Sequence, residues 1–197
     1  MSNFYNASEY KNKIINLLLK NKDFIKLIDP KPSECDQLDI IDVLIGGEWI
    51  VDGKNYYEQG HVFDYNFVDD TTTDEKTFVF VETDVDNVTN NTFVDFNLYI
   101  CVFSNKRLLR LTTTSSPTVQ EVKDMGYFAG SIANRIDILC DIIDKTINGS
   151  KKIYGIGKVT PSTRGFCTVF CPNVNFYGKC LKYKITNLND IGDECID

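Results

Sequence analysis

A single histidine, His61, is all the imidazole that this chain of 197 residues contains. No phosphate-binding glycine loop and no nucleophile motif accompany it, so the usual residue sets for phosphoryl transfer or covalent catalysis are missing. No apolar run approaches the roughly 20 residues that a membrane-spanning helix requires. The opening MSNFYNASEYKNK has no apolar signal core, which argues against export by the usual route. Basic charge is also scarce. Twenty-one Lys and Arg stand against 28 Asp and Glu, for a net charge of −7. That balance disfavours nucleic acid as a directly bound partner, because phosphate binding relies on clustered cations. It is compatible with DNA sliding past an acidic wall that repels its backbone.

What is present is an ordinary globular composition, 43% hydrophobic and 25% charged. The length suits one domain, residues 1–197, with a proper core. Seven cysteines, at positions 35, 101, 140, 167, 171, 180 and 195, lie mostly inside apolar runs. Without an export signal they are expected to be reduced thiols acting as small hydrophobes. Sequons at Asn6, Asn87, Asn90 and Asn148 reflect an Asn-rich composition rather than glycosylation.

Apolar residues Tyr10, Ile14, Leu17, Leu18, Phe24, Ile25 and Ile28 form a helical stripe over residues 6–28. Asn6 with Glu9 suits a capped start, and Pro30-Lys31-Pro32 a stop. Residues 29–76 form a long excursion. Gln37–Ile45 fits strand or short helix equally, and Gly46-Gly47 and Asp52-Gly53 predict a small hairpin around Trp49-Ile50-Val51. Such a stretch usually carries a binding surface or an interlocking arm.

Thr77–Asp84 and Thr92–Ser104 read as strands joined by a turn over 86–91. The second is apolar on both faces, which predicts packing on two sides, and it is long enough to span roughly 40 Å. Residues 104–116 are a Thr-rich connection, and Ser116-Pro117 suits the opening of a short helical turn. Phe128, Ile132, Ile136, Leu139, Cys140, Ile143 and Ile147 predict a helix over 128–147 closed by Asn148-Gly149. Short strands follow at 153–159, 166–170 and 178–185, then an acidic tail. No repeat and no second composition regime stands out. The fold expected is α+β, a mostly antiparallel sheet with two amphipathic helices on one face.

The candidate sites are thin. Cys167 and Cys171, with Cys180 and Cys195 nearby, provide one pair where structural zinc wants two, so buried thiols are the preferred reading. Asp84, Asp86 and Asn87 hint at a calcium loop, but Val88, Thr89 and Asp95 stand where the pattern needs an oxygen ligand, glycine and glutamate. His61 has no nucleophile or orienting acid beside it in sequence. Asp137, Asp141 and Asp144 share one helical face, either as an ordinary solvated row or as an acidic lining. Trp49, Tyr56, Tyr57, Phe63, Tyr65 and Phe67 in the excursion are interface or core anchors. No metal or cofactor is expected.

The segments EYKNKIINLLL, KTFVFVETDV, NNTFVDFNLYICVF, NRIDILCDIIDKTINGS and FYGKCLKYKITNLND, in this order, resemble the small neck proteins of tailed bacteriophages, of tail-terminator and head–tail connector type. The resemblance implies a non-enzymatic virion protein made in the host cytoplasm. It would form a ring, hexameric in terminators or twelvefold in portal-side adaptors, in the virion neck. Its partners would be further copies of itself, the portal or adaptor, and the tail tube. DNA would pass along an acidic lumen, with Asp137, Asp141 and Asp144 as lining candidates, without specific binding, and no membrane would be involved. Two readings compete: another virion ring component, or a small cytosolic enzyme or metal-binding domain built on the cysteines and His61.

Overall fold

A computed structural model describes residues 3–28, 50–51, 54–55, 60–65, 75–89, 93–127, 133–148, 156 and 158–188. In chain order these form α1 (Asn3–Leu19), α2 (Lys22–Ile28), β1 (Ile50–Val51), β2 (Lys54–Asn55), β3 (Val62–Phe63), β4 (Thr77–Thr89) and β5 (Phe93–Asn105). After a 3-10 turn at Lys106–Leu108 come β6 (Arg110–Leu111), α3 (Val119–Asp124), β7 (Ala133–Asn134) and α4 (Arg135–Ile147). The chain closes with β8 (Lys158–Pro161), β9 (Cys167–Phe170) and β10 (Phe176–Leu188).

Three strands of 13 residues, β4, β5 and β10, make the frame. β5 lies in the middle and pairs antiparallel with both, from Thr77↔Ser104 to Thr89↔Phe93 on one side and from Phe176↔Asn105 to Leu188↔Phe93 on the other. A bulge interrupts β4 between Val85 and Asn87. The outer edge of β10 carries β9 and then β8. Next to β4 sits β3, which runs parallel to it and is the exception to the antiparallel plan.

Strict alternation along these strands produces two apolar layers. Val79, Val81, Phe96, Leu98, Ile100, Val102, Leu181, Tyr183 and Ile185 face the helices and share one buried cluster with them. Phe78, Phe80, Cys101 and Phe103 point the other way, where Phe63 and Phe176 join them in a buried aromatic layer. Rings of Phe78, Phe103 and Phe176 lie 5.5–5.8 Å apart, within the range for tilted and edge-to-face contacts. The two-sided packing expected of β5 is therefore present. Gly178 stands opposite Phe103, and an added Cβ there would overlap Val102 O and the Phe103 backbone. Only glycine fits that strand crossing.

The first helical stripe is two helices, not one over 6–28. α1 starts at Asn3, so Asn6 lies inside it rather than at its cap, and Glu9 pairs with Lys13 at 2.5 Å. At Asn21 the side chain accepts from the amides of Asp23 (3.0 Å) and Phe24 (3.3 Å), capping α2 afresh. Asparagine offers the backbone this local alternative to continuing a helix. Its Nδ2 also donates to Thr146 Oγ1 at 3.1 Å, pinning the corner to the end of α4.

α4 is shorter than the 128–147 expected. Ala133 and Asn134 pair with β6, and Asn134 caps the helix through the Ile136 amide at 2.9 Å. Phe128 and Ile132 lie outside the described residues, as do Gln37–Ile45 and Trp49. The Thr-rich connection holds β6 and leads to α3, capped by Thr118 with Glu121 closing a reciprocal box, so the cap falls one residue after Pro117. The hydrogen bonds from Thr118 hold the Glu121 carboxyl below its ordinary pKa. β4 runs five residues past Asp84, which shortens the expected turn. The hairpin expected around Trp49–Val51 is there as β1 and β2, with Val51 opposite Lys54.

Candidate assembly surface

The cysteines do not behave as a set of buried reduced thiols. Cys101 and Cys180, directly opposite each other on β5 and β10, form a disulfide. Their face of the sheet is the aromatic one, so the bridge extends that layer. Cys167 and Cys171 are exposed, since β9 is an edge strand whose Cys167, Thr168 and Val169 all reach solvent. Cys140 sits on α4, and burial pushes its thiol up to about 12, which keeps it protonated and unreactive at neutral pH. Among the described residues no group of three or more His, Cys, Asp or Glu is placed to hold a metal.

His61 lies in the bend just before β3 and is buried. Its Nδ1 lies 2.8 Å from the Thr77 carbonyl, so that nitrogen carries the proton, and its own carbonyl accepts from Val79 N at 2.7 Å. The residue fastens the start of β3 to β4. Phe63 likewise belongs to the buried aromatic layer, while Tyr65, two residues on, is exposed and meets Phe63 edge-on at 5.9 Å. Trp49, Tyr56, Tyr57 and Phe67 lie outside the described residues.

The three aspartates on α4 are each engaged within the chain. Asp137 pairs with Lys179 of β10 at 2.6 Å, an ion pair that raises the lysine pKa. Asp141 pairs with Lys145 at 2.6 Å, and Lys145 also lies over the Tyr127 ring. Asp144 accepts from the Tyr183 hydroxyl at 3.1 Å. Burial, reinforced by this carboxylate, raises the Tyr183 pKa, so the phenol stays a donor. Asp137 and Asp141 are exposed and Asp144 is half-buried, so the row presents less net charge than its composition suggests.

A second charged feature was legible in the sequence and went unread. Residues 151–188 contain seven Lys and Arg and no Asp or Glu, while the rest of the chain has twice as many acidic as basic residues. Pattern reading by segment missed this because the cations are spread over three short strands. A running charge sum along the chain reveals it. From Lys158 onward the run becomes β8, β9 and β10, at one side of the sheet. Lys158, Lys182 and Lys184 share the face opposite the helices, by their register with Thr186, Tyr99 and Asn97. Lys182 lies over the Tyr99 ring at 5.3 Å, and Arg164 is exposed in the β8–β9 loop.

At the other side of the same sheet the charges are acidic. Asp64 follows β3 and is exposed, Glu82 and Asp84 follow on β4, and Asp95 stands on β5. Lys11 bridges the first two by donating to Asp64 O at 2.8 Å and to Glu82 Oε1 at 3.0 Å. The rows Glu82–Tyr99–Lys182 and Asp84–Asn97–Lys184 thus run from anion to cation across three strands. Such an arrangement is a polarised surface.

No helix among the described residues is long and apolar enough to cross a membrane. No curated protein and no solved structure matches the chain. The family profile YomW does match, over residues 12–185, a span that reaches from α1 to β10. YomW is a prophage-type gene name and points to a phage origin. With most of the chain inside that profile, the protein belongs to the YomW family.

Proposed function

We propose that this chain is a structural virion protein of a tailed-phage neck, working by self-association rather than by catalysis. Its copies form a ring that terminates the tail tube or joins it to the portal, and DNA passes through the ring without specific binding. The observation that carries the reading is the three-stranded frame of 13-residue strands. Helices cover one face of that frame, and the short strands at its two sides cover it only in part. β3 pairs with β4 at Val79 and Phe80 alone, so among the described residues the outer edge of β4 from Val81 onward has no strand beside it. A strand edge of that length, wherever it is left unpaired, is a liability for a solitary protein and an asset for one that meets neighbours. The phage origin of the family supports the same reading.

Virions settle the matter. Mass spectrometry of purified particles should find the chain at six or twelve copies per portal ring, and particles made without it should accumulate as separate heads and tails. Absence of the chain from purified virions overturns the proposal. The alternative tier, a portal adaptor or tail-tube component, is separated by copy number, since a tube protein would be present in far larger amounts.

A further inference from the structure

We infer that the two sides of the sheet are the two halves of one contact, the acidic β3–β4 side of one copy meeting the basic β8–β10 side of the next. This deepens the ring reading and rests on it, by naming the surfaces through which copies meet. Four observations converge on it.

The charge is segregated by fold, not merely by sequence. Asp64, Glu82 and Asp84 stand at one side, and Lys158, Arg164, Lys182 and Lys184 at the other, with β5 between them. Within one copy Asp64 beside β3 and Lys158 on β8 are four strand spacings apart, on the order of 19 Å, and Glu82 and Asp84 lie two spacings, on the order of 10 Å, from Lys182 and Lys184. Both distances exceed the Debye length of about 8 Å at physiological salt, which weakens the attraction between these groups. The segregation therefore does little inside a single chain. Between two chains placed side by side it does much more, because the opposite charges then approach within contact distance.

The two surfaces are also different from each other, so the contact they make is head-to-tail. A contact of that kind repeats around a closed circle and does not stop at a pair. Finally, the edges themselves are suited to a strand-bearing neighbour. β9 is exposed along three of its four residues, and β4 has an outer edge with no strand beside it from Val81 onward among the described residues.

Nucleic acid is the other occupant that a basic strip suggests. A second copy is favoured because the complementary anionic surface is built into this same molecule, and because Lys182 is already seated on the Tyr99 ring rather than extended for phosphate.

The test uses exposed residues at each edge. One variant carries Asp64→Lys with Asp84→Lys, so that both its edges are basic. The other carries Lys158→Glu with Arg164→Glu, so that both are acidic. Analytical ultracentrifugation of the full-length chain should show the wild type assembling. Each variant alone should be weakened in assembly by roughly tenfold or more, with an unchanged circular dichroism spectrum. An equimolar mixture of the two should assemble again, as alternating copies. Rising salt should weaken the wild-type assembly in parallel.

Wild-type chain that assembles while both variants assemble equally well overturns this inference and leaves the ring reading standing. Wild-type chain that remains monomeric, both alone and with the portal and tail-tube proteins, overturns both. Loss of DNA retention in the Lys158/Arg164 variant, with assembly unchanged, overturns the inference in favour of a phosphate surface.

Discussion

Arg135 is the most demanding residue in this fold. It opens α4, is 2% exposed, and carries its guanidinium into the interior. There Nε donates to Leu108 O at 3.0 Å, and the two terminal nitrogens donate to Leu27 O at 2.5 Å and Ser116 O at 2.7 Å. The three acceptors come from the last turn of α2, the 3-10 turn after β5 and the loop before α3. Leu27 O belongs to the negative end of a helix, where a cation is favoured. Burial pulls the arginine pKa down from 12.5 to about 10, which corresponds to about 3 kcal/mol of desolvation and still leaves the group cationic at neutral pH. Replacing it by methionine fills similar space, removes that desolvation and leaves three carbonyls without their donor. At about 2 kcal/mol for the buried charge-assisted bond to Leu27 O and about 1.5 kcal/mol for each of the two part-buried ones, the loss is roughly 5 kcal/mol against a relief of about 3. Arg135→Met should therefore destabilise by about 2 kcal/mol, or roughly 6 °C in Tm for a chain of this size. Urea unfolding followed by circular dichroism measures it as a lower midpoint with an unchanged slope. Arg135→Lys should fare no better, since an ammonium keeps the buried charge but lacks the planar fork. A methionine variant within about 0.5 kcal/mol of wild type would refute the reasoning, showing the three bonds contribute nothing net.

Gly178→Ala pushes a methyl into the β5 backbone, and should cost about 2 kcal/mol or more in the same unfolding assay. Reducing the Cys101–Cys180 bridge, which closes a separation of 79 residues, should lower stability by roughly 2–4 kcal/mol, read as a shifted urea midpoint with and without reductant. Tyr183→Phe removes the donor to Asp144 and should cost about 1.5 kcal/mol at pH 7. The raised Tyr183 pKa means that the unfolded chain loses this proton first. Its contribution is therefore constant below the ordinary tyrosine value of 10.0 and falls as pH climbs above it. Arg135, with its lowered pKa, acts in the opposite sense over that window, but it is common to both proteins. The gap between wild type and Tyr183→Phe should accordingly narrow above about pH 10 in paired pH titrations of stability.

The strands were legible where alternation was strict. Alternation from Phe96 to Val102 specified the face of β5, and two apolar faces correctly announced a strand covered on both sides. The helix stripes were legible too, but their boundaries were not. Asn21 interrupts the first stripe with a cap that apolar spacing does not register, and the β6–β7 pairing claims Ala133 and Asn134 before α4 can begin. Pairings that join distant segments left no local trace. Cys101 and Cys180 sit opposite each other only because β10 returns beside β5, and β3 runs parallel to β4 with His61 anchored to Thr77 where the two strands begin. The candidate surface was half visible. The acidic row on α4 stood out by its spacing, yet each of its members serves an internal partner. The basic run over 151–188 was the more informative signal, and it gained meaning only when the topology placed it opposite Asp64 and Asp84.

The measurement that bears most directly on the account is the native mass of the full-length chain over a range of concentrations, alone and with the portal and tail-tube proteins of its own phage. One discrete closed species of six or twelve copies is expected, sharpening as salt is lowered. A chain that stays a monomer under every one of these conditions contradicts it.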